Sequence, residues 1–306
     1  MRIAVVDIGT NSTRLLVCDV ENQRVTAELD RLTTVTRLGA GVDADGRLAE
    51  DAMQRVFKTL EDYRVVIDRH DVDRSIAVLT SAVREAGNGR EFAQRVGERF
   101  GLAPFVVSGD EEARLTFLGA TSERDPADRT PLAVIDIGGG STEIVVGRGR
   151  EATFHVSTRA GVVRQTERHL HDDPPTDAET ERTRQDVQGI LRDGVPEDER
   201  HAVEHAIGVA GTATSLAAIA QRLEPYDPDK VHGYRLTRDE CSEILEHLAS
   251  IPLAERRQVP GLDPARAPTI VAGVIILTEV LALFGLNEVE VSEHDILRGA
   301  ALGLET

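Results

Sequence analysis

Apolar residues reach this chain in two rhythms. Short β-branched runs read as strands buried on both faces, and longer stretches with apolar residues every third or fourth position read as helices. Taken in order, 2–8 and 13–20 make a hairpin and 24–36 adds a strand. A long amphipathic helix follows over 48–68, then a strand at 76–79, a helix at 91–100, a strand at 104–107 and a helix opened by SGDEEARLTFLGA. The polar stretch 121–130, with Pro126, is the expected link between domains. Beyond it come a second hairpin from 132, a helix in STRAGVVRQTERHL that presents Arg159 and Arg164, and a loop feeding a helix to about 192. A strand at 206–209 runs into the small-residue helix AGTATSLAAIA, and HGYRLTRDE starts another helix. An apolar helix at 269–283, a strand at 287–291 and a final helix at 293–304 complete the pattern.

The two hairpins are copies. AVVDIGTNSTRLLV (4–17) and LAVIDIGGGSTEIVVG (132–147) align at an offset of 129, which lays Asp7 on Asp136, Gly9 on Gly138, Ser12 on Ser141 and Thr13 on Thr142. Each has a buried strand, an Asp, a Gly-rich tip with Ser-Thr, and a strand leading out. Glycine lets backbone come close to a ligand, and successive amides with hydroxyl groups make an anion-binding concavity. The Asp repels phosphate but suits a hard divalent cation bridging to phosphate oxygens. A tight turn alone would need Gly or Asn, not Asp before it and Ser-Thr after it in both copies. No repeat is visible beyond this hairpin.

Composition narrows the partners. The chain of 306 residues allows two domains of ordinary size, each with its own core. A net charge of −18 argues against a broad basic surface for nucleic acid, while a local arginine cluster with metal can still hold a polyanion, because distant charges are screened. Lys58 and Lys230 are the only lysines. No apolar run reaches membrane-spanning length and the start MRIAVVDIG lacks a leader pattern, so a cytoplasmic protein is expected, without membrane or nucleic-acid partners. Cys18 and Cys241 form no metal or redox pair, and Cys18 reads as a small core residue.

Several residues admit two readings. Thr80-Ser81 stands at the carboxyl end of a strand, where α/β folds bind ligands, and Arg84 either reaches an anion there or caps a turn. Asp110, Glu111 and Glu112 fall in a first helical turn, where the dipole favours carboxylates; position alone favours that role over orienting a water. His169, His171 and Asp172 read as a solvated helix end rather than a metal site. Gly208 to Ser215 offers amides at a helix N-terminus or close packing, and His232 and Arg235 face either a cleft or solvent.

In order along nearly the whole chain, DIGTNSTRLL, TSAVREA, SGDEEARLTF, VIDIGGGSTE, AGVVRQTE, VAGTATSLA, HGYRLTRDE and GLDPARAPTIVAG resemble the exopolyphosphatase and guanosine pentaphosphate phosphohydrolase family. The resemblance implies an α/β fold of two actin-like, ribonuclease H-like domains flanking a cleft and related by an internal duplication. Their boundaries would be 1–124 and 125–306, with the final helix 293–306 packing back on the first domain; the length resembles the short, two-domain type. It also implies roles. Glu112 activates the water, against the helix-dipole reading, and Arg84 contacts the phosphate under attack. Glu143 is a second essential glutamate. Asp136 is associated with Mg²⁺, or Mn²⁺, and Asp7 supports it. Gly138, Gly139, Gly140 and Ser141 form one phosphate loop, and Asn11 and Ser12 belong to the other.

Two departures stand out. SEHDILRGAALG places Gly299 directly after Arg298, where the family carries Glu before its Gly, and Arg14 sits where other members vary. Both bear on substrate choice. The expected reaction is hydrolysis of the terminal phosphoanhydride of inorganic polyphosphate by a homodimer. The alternative within the same chemistry is a guanosine pentaphosphate phosphohydrolase; in other classes stand a phosphotransferase and a non-catalytic guanosine tetraphosphate sensor.

Overall fold

Strands buried on both faces need layers on both sides, and the computed structural model supplies them. It describes residues 1–125 and 127–303; Pro126 of the expected linker and residues 304–306, the end of the expected final helix, lie outside the described residues. The chain divides into two compact units: Met1–Ser122 with the segment from His294, and Glu123–Glu293.

In the first unit β1 (Arg2–Ile8), β2 (Ser12–Glu21) and β3 (Arg24–Val35) form an antiparallel meander. After α1 (Val42–Asp45) and α2 (Glu50–Arg69), β4 (Arg74–Leu79) pairs parallel with β1. The elements α3 (Ser81–Glu85) and α4 (Gly89–Phe100) lead to β5 (Ala103–Val106), parallel to β4, and α5 (Gly109–Ala120) follows. The sheet order is β3-β2-β1-β4-β5. Val6, Ile8, Leu15 and Val17 face a layer with Phe57, Leu60 and Phe92. The alternate residues Ile3, Val5, Leu16 and Cys18 face the other way.

The second unit repeats the scheme. A meander of β6 (Leu132–Ile137), β7 (Thr142–Arg148) and β8 (Glu151–Thr158) precedes α6 (Val162–His169), α7 (Asp177–Gly194) and α8 (Glu197–Ala202). Then β9 (His205–Val209) pairs parallel with β6 and feeds α9 (Ala210–Ala220). The remainder runs α10 (Pro228–Val231), β10 (Arg235–Thr237), α11 (Arg238–Ser250), α12 (Leu253–Arg256), the buried α13 (Ile270–Phe284) and β11 (Glu288–Val291). The order β10-β11-β9-β6-β7-β8 matches the first sheet strand for strand from β11 to β8, with β10 added. The duplication thus extends over five strands of each sheet, beyond the hairpin visible in sequence. The outer parallel strands keep burial without keeping residues, SIAVL in β4 against HAIGV in β9.

α14 (Ile296–Gly303) belongs to the first unit, where Ile296, Leu297, Ala300 and Ala301 cover the second face of the sheet. It crosses α5 through glycines. A Cβ at Gly299 would lie 2.6 Å from Leu115 C and closer to its carbonyl oxygen, and one at Gly119 would lie 2.8 Å from Asp295 C. Any side chain at position 299 would run into the backbone of α5.

Two expectations are corrected. Arg159 lies between β8 and α6 rather than on the helix, because Ser157 and Thr158 still belong to a polar edge strand whose side chains give no apolar run. Arg235 lies on β10, where it pairs with Glu288 at 2.7 Å; Thr237 caps the helix that HGYRLTRDE was expected to open, so that helix begins only at Arg238.

Candidate active site

The two hairpin tips are built alike. In the first, Gly9 N donates to Ser12 O at 2.9 Å and closes the turn. The carbonyls of Thr10 and Asn11 are then taken by amides of the segment after β3: Gly39 N reaches Thr10 O at 2.9 Å, and Thr36 N and Arg37 N reach Asn11 O at 3.0 and 2.8 Å. In the second, Gly138 N donates to Ser141 O at 2.9 Å. Here the first turn of α6 takes the carbonyls: Val162 N to Gly138 O at 3.0 Å, Val163 N to Gly139 O at 2.9 Å, and Arg164 Nε to Gly140 O at 2.9 Å. The carbonyls of each tip are thus engaged by the segment that packs against it. α6 approaches so closely that a Cβ at Gly161 would stand 2.5 Å from Ser141 N and nearer still to Gly139 O and Gly140 C.

The acidic first turn of α5 separates into different environments. Ser108 caps the helix by accepting from Glu111 N, and Glu111 turns outward to pair with Arg114 at 2.7 Å, which lowers its pKa. Glu112 turns inward, 7% exposed, and its Oε2 accepts from Arg84 Nη1 at 2.7 Å. Arg84 Nη1 also donates to Val107 O at 3.1 Å, so a single nitrogen fixes the guanidinium to both groups. Its Nε and Nη2 carry no protein acceptor among the described residues. The pair joins half-buried Arg84 of α3 to buried Glu112 of α5.

Asp7 is 3% exposed. Its Oδ2 accepts from Arg14 Nε and Nη2 at 2.9 and 2.6 Å, while Oδ1 is buried with no hydrogen-bond partner. Burial raises its pKa, opposed by the Arg14 charge. An orphaned carboxylate oxygen of this kind fits a hard cation. Arg14 is consumed by Asp7 and by Asp295, which accepts from its Nη1. Asn11, 8% exposed, likewise has an unpartnered Oδ1.

In the second unit the register places Asp136 directly opposite Glu143 on one face of the β6–β7 pair, 8% and 2% exposed. Ser157 Oγ donates to Glu143 Oε1 at 2.8 Å. The oxygen chemistry of the two carboxylates fits a divalent ion.

The segment 169–172 is held by protein carboxylates. His169 Nε2 lies 3.2 Å from Asp186, and the backbone amides of His171 and Asp172 donate to Glu179. The N-terminus of α9 is faced by Arg266, whose guanidinium lies where a Cβ on Gly211 would go. Sequence reasoning missed the roles of Asp295 and Ser157. For Arg14 a signal was available, since the offset of 129 lays it on Glu143.

Comparison with known proteins follows the same lines. The model of the Ppx/GppA phosphatase family matches residues 16–304. Exopolyphosphatase 2 of Mycobacterium tuberculosis is 38% identical over 315 aligned positions, covering 99% of this chain and 98% of that protein. The crystal structure of the Aquifex aeolicus Ppx/GppA family member superposes with a TM-score of 0.81 at 32% identity, over 99% of this chain and 97% of that one. An exopolyphosphatase from Cytophaga hutchinsonii superposes with a TM-score of 0.88 at 28% identity, over 99% and 98%. No described helix is long and apolar enough to cross a membrane.

Proposed function

We propose that this chain, which belongs to the Ppx/GppA phosphatase family, is an exopolyphosphatase that removes the terminal phosphate of inorganic polyphosphate. The observation that carries this reading is the pair of half-buried Arg84 with buried Glu112, a cation and a carboxylate 2.7 Å apart in a chain of that family. Water attacks the terminal phosphorus and the bridging P–O bond breaks. The products are orthophosphate and a chain one phosphate shorter. Transfer of this kind depends on positioning and charge neutralisation more than on covalent chemistry.

Glu112 orients the attacking water and takes its proton. Arg84 holds equatorial oxygens through the nitrogens that Glu112 does not use. Glu143, steadied by Ser157, assists at the water. The amides of the loop Gly138–Ser141, with the Ser141 hydroxyl, bind phosphate oxygens, and Asn11 and Ser12 do the same on the other tip. Phosphatases of this family are typically divalent-metal dependent. In this chain Asp136 and Asp7 are the candidate carboxylates for Mg²⁺, or Mn²⁺ in its place, which would neutralise phosphate charge.

The test is phosphate release with Mg²⁺ from short-chain polyphosphate, long-chain polyphosphate and guanosine pentaphosphate, with Glu112→Gln as control. Polyphosphate is expected to be the fastest substrate, and the variant to lose about 10²- to 10⁴-fold in rate while still binding it. Release from the nucleotide alone would overturn the substrate, and an active variant would overturn the role of Glu112.

A further inference from the structure

The duplication contains one charge reversal at the heart of its hairpins. Position 14 stands opposite Asp7 across the β1–β2 ladder as position 143 stands opposite Asp136 across β6–β7. The second hairpin carries a carboxylate there, and the first carries Arg14, 8% exposed.

Arg14 is also tied to a distant part of the chain. Its Nη1 donates to Asp295 Oδ2, at the start of the last helix. The other oxygen of Asp295 accepts from Leu297 N at 3.0 Å and lies 4.0 Å from Arg31. The crossing at Gly119 and Gly299 fixes the backbone around Asp295 against α5, the helix that bears Glu112. The start of the last helix thus meets both Arg14, the partner of Asp7, and α5, the helix that bears Glu112.

We propose that Arg14 and Asp295 are positioning residues for Asp7. Arg14 is a built-in counter-cation that holds Oδ2 in a two-pronged grip, so that Oδ1 alone is presented to the divalent ion, and Asp295 sets the plane of the guanidinium. The inference deepens the functional reading above, resting on its assignment of Asp7 as metal support. A planar fork is essential to it. Lysine keeps the charge but offers one nitrogen, which cannot serve Asp7 twice and reach Asp295 as well.

The experiment titrates Mn²⁺ into the purified full chain by calorimetry for wild type, Arg14→Lys and Asp295→Asn, with circular dichroism to confirm the fold and phosphate release measured in parallel. Loss of a group that orients a metal ligand typically weakens metal affinity by about 10- to 100-fold. That range is expected for both variants, with kcat lowered and KM for polyphosphate little changed. Affinity within twofold of wild type in Asp295→Asn, the variant that leaves Arg14 and Asp7 intact, would overturn the relay. So would full recovery in Arg14→Lys, which would reduce Arg14 to charge balance. A wild type that binds Mn²⁺ but leaves polyphosphate intact would sink the assigned reaction, while the affinities would still decide the relay.

Discussion

Gly161→Ala isolates the contact that shapes the second phosphate loop. Gly161 caps α6 with φ −107° and ψ 150°, an extended conformation that alanine adopts freely, so any loss comes from space rather than backbone strain. The added carbon would stand 2.5 Å from Ser141 N, and nearer to Gly139 O and Gly140 C. Ordinary contact between carbons lies at about 3.5 Å, so α6 and the loop must part by about 1 Å. Overpacking of this kind costs about 1–3 kcal/mol, offset by about 0.4–1 kcal/mol from the stiffer unfolded chain. At about 2–4 °C per kcal/mol, the melting temperature should fall by several degrees. The catalytic effect should be larger, because misplacement by about 1 Å can cost about 10²-fold in rate. Phosphate release from polyphosphate, read as kcat/KM, measures it. Gly189→Ala is the control: it lies within α7 with nothing inside 4 Å of its added carbon, and should stabilise by about 0.5–1 kcal/mol without changing turnover. If Gly161→Ala kept wild-type kcat/KM and melting temperature, α6 would not set the loop and the account of its amides would fail.

Gly299→Ala should drive α14 from α5, costing about 1–3 kcal/mol as overpacking does; a lower urea midpoint at constant slope would show it, and an unchanged midpoint would contradict the close crossing. Glu179 is held at about 2 by the amides of Thr176, His171 and Asp172, against an ordinary value of 4.5. Because the folded value is depressed, its contribution is present above pH 4.5 and lost as pH falls toward 2, so Glu179→Gln should flatten the acid limb of stability measured by urea unfolding from pH 6 down. Burial pushes both Cys18 and Cys241 up to about 12. The folded protein at about pH 8 should therefore resist a thiol reagent that labels both cysteines once urea unfolds it, and rapid labelling of the native state would contradict their burial.

Much of this was legible in the chain itself. Alternation and apolar runs located the first meander and the second hairpin, because a strand buried on both faces must carry apolar residues in succession. The repeated Asp, Gly and Ser-Thr located both tips, since only certain residues tolerate a tight polar turn that exposes its amides. The ordered motifs marked the family. Local pattern stopped at contacts between distant residues. Three adjacent carboxylates in α5 look equivalent in sequence, and only the tertiary structure separates Glu111, paired with Arg114 three residues away, from Glu112, paired with Arg84 across 28 residues. The β8 edge strand escaped notice because its exposed faces leave no apolar signature. The bond from Arg14 to Asp295 spans 281 residues, and the need for glycine at 161 and 299 arises from backbone brought close by other elements. Periodicity and propensity are properties of neighbours in the chain, so they settle which elements form and which faces are buried. Which charges meet inside is decided by packing, where burial makes an unpaired charge too costly to keep.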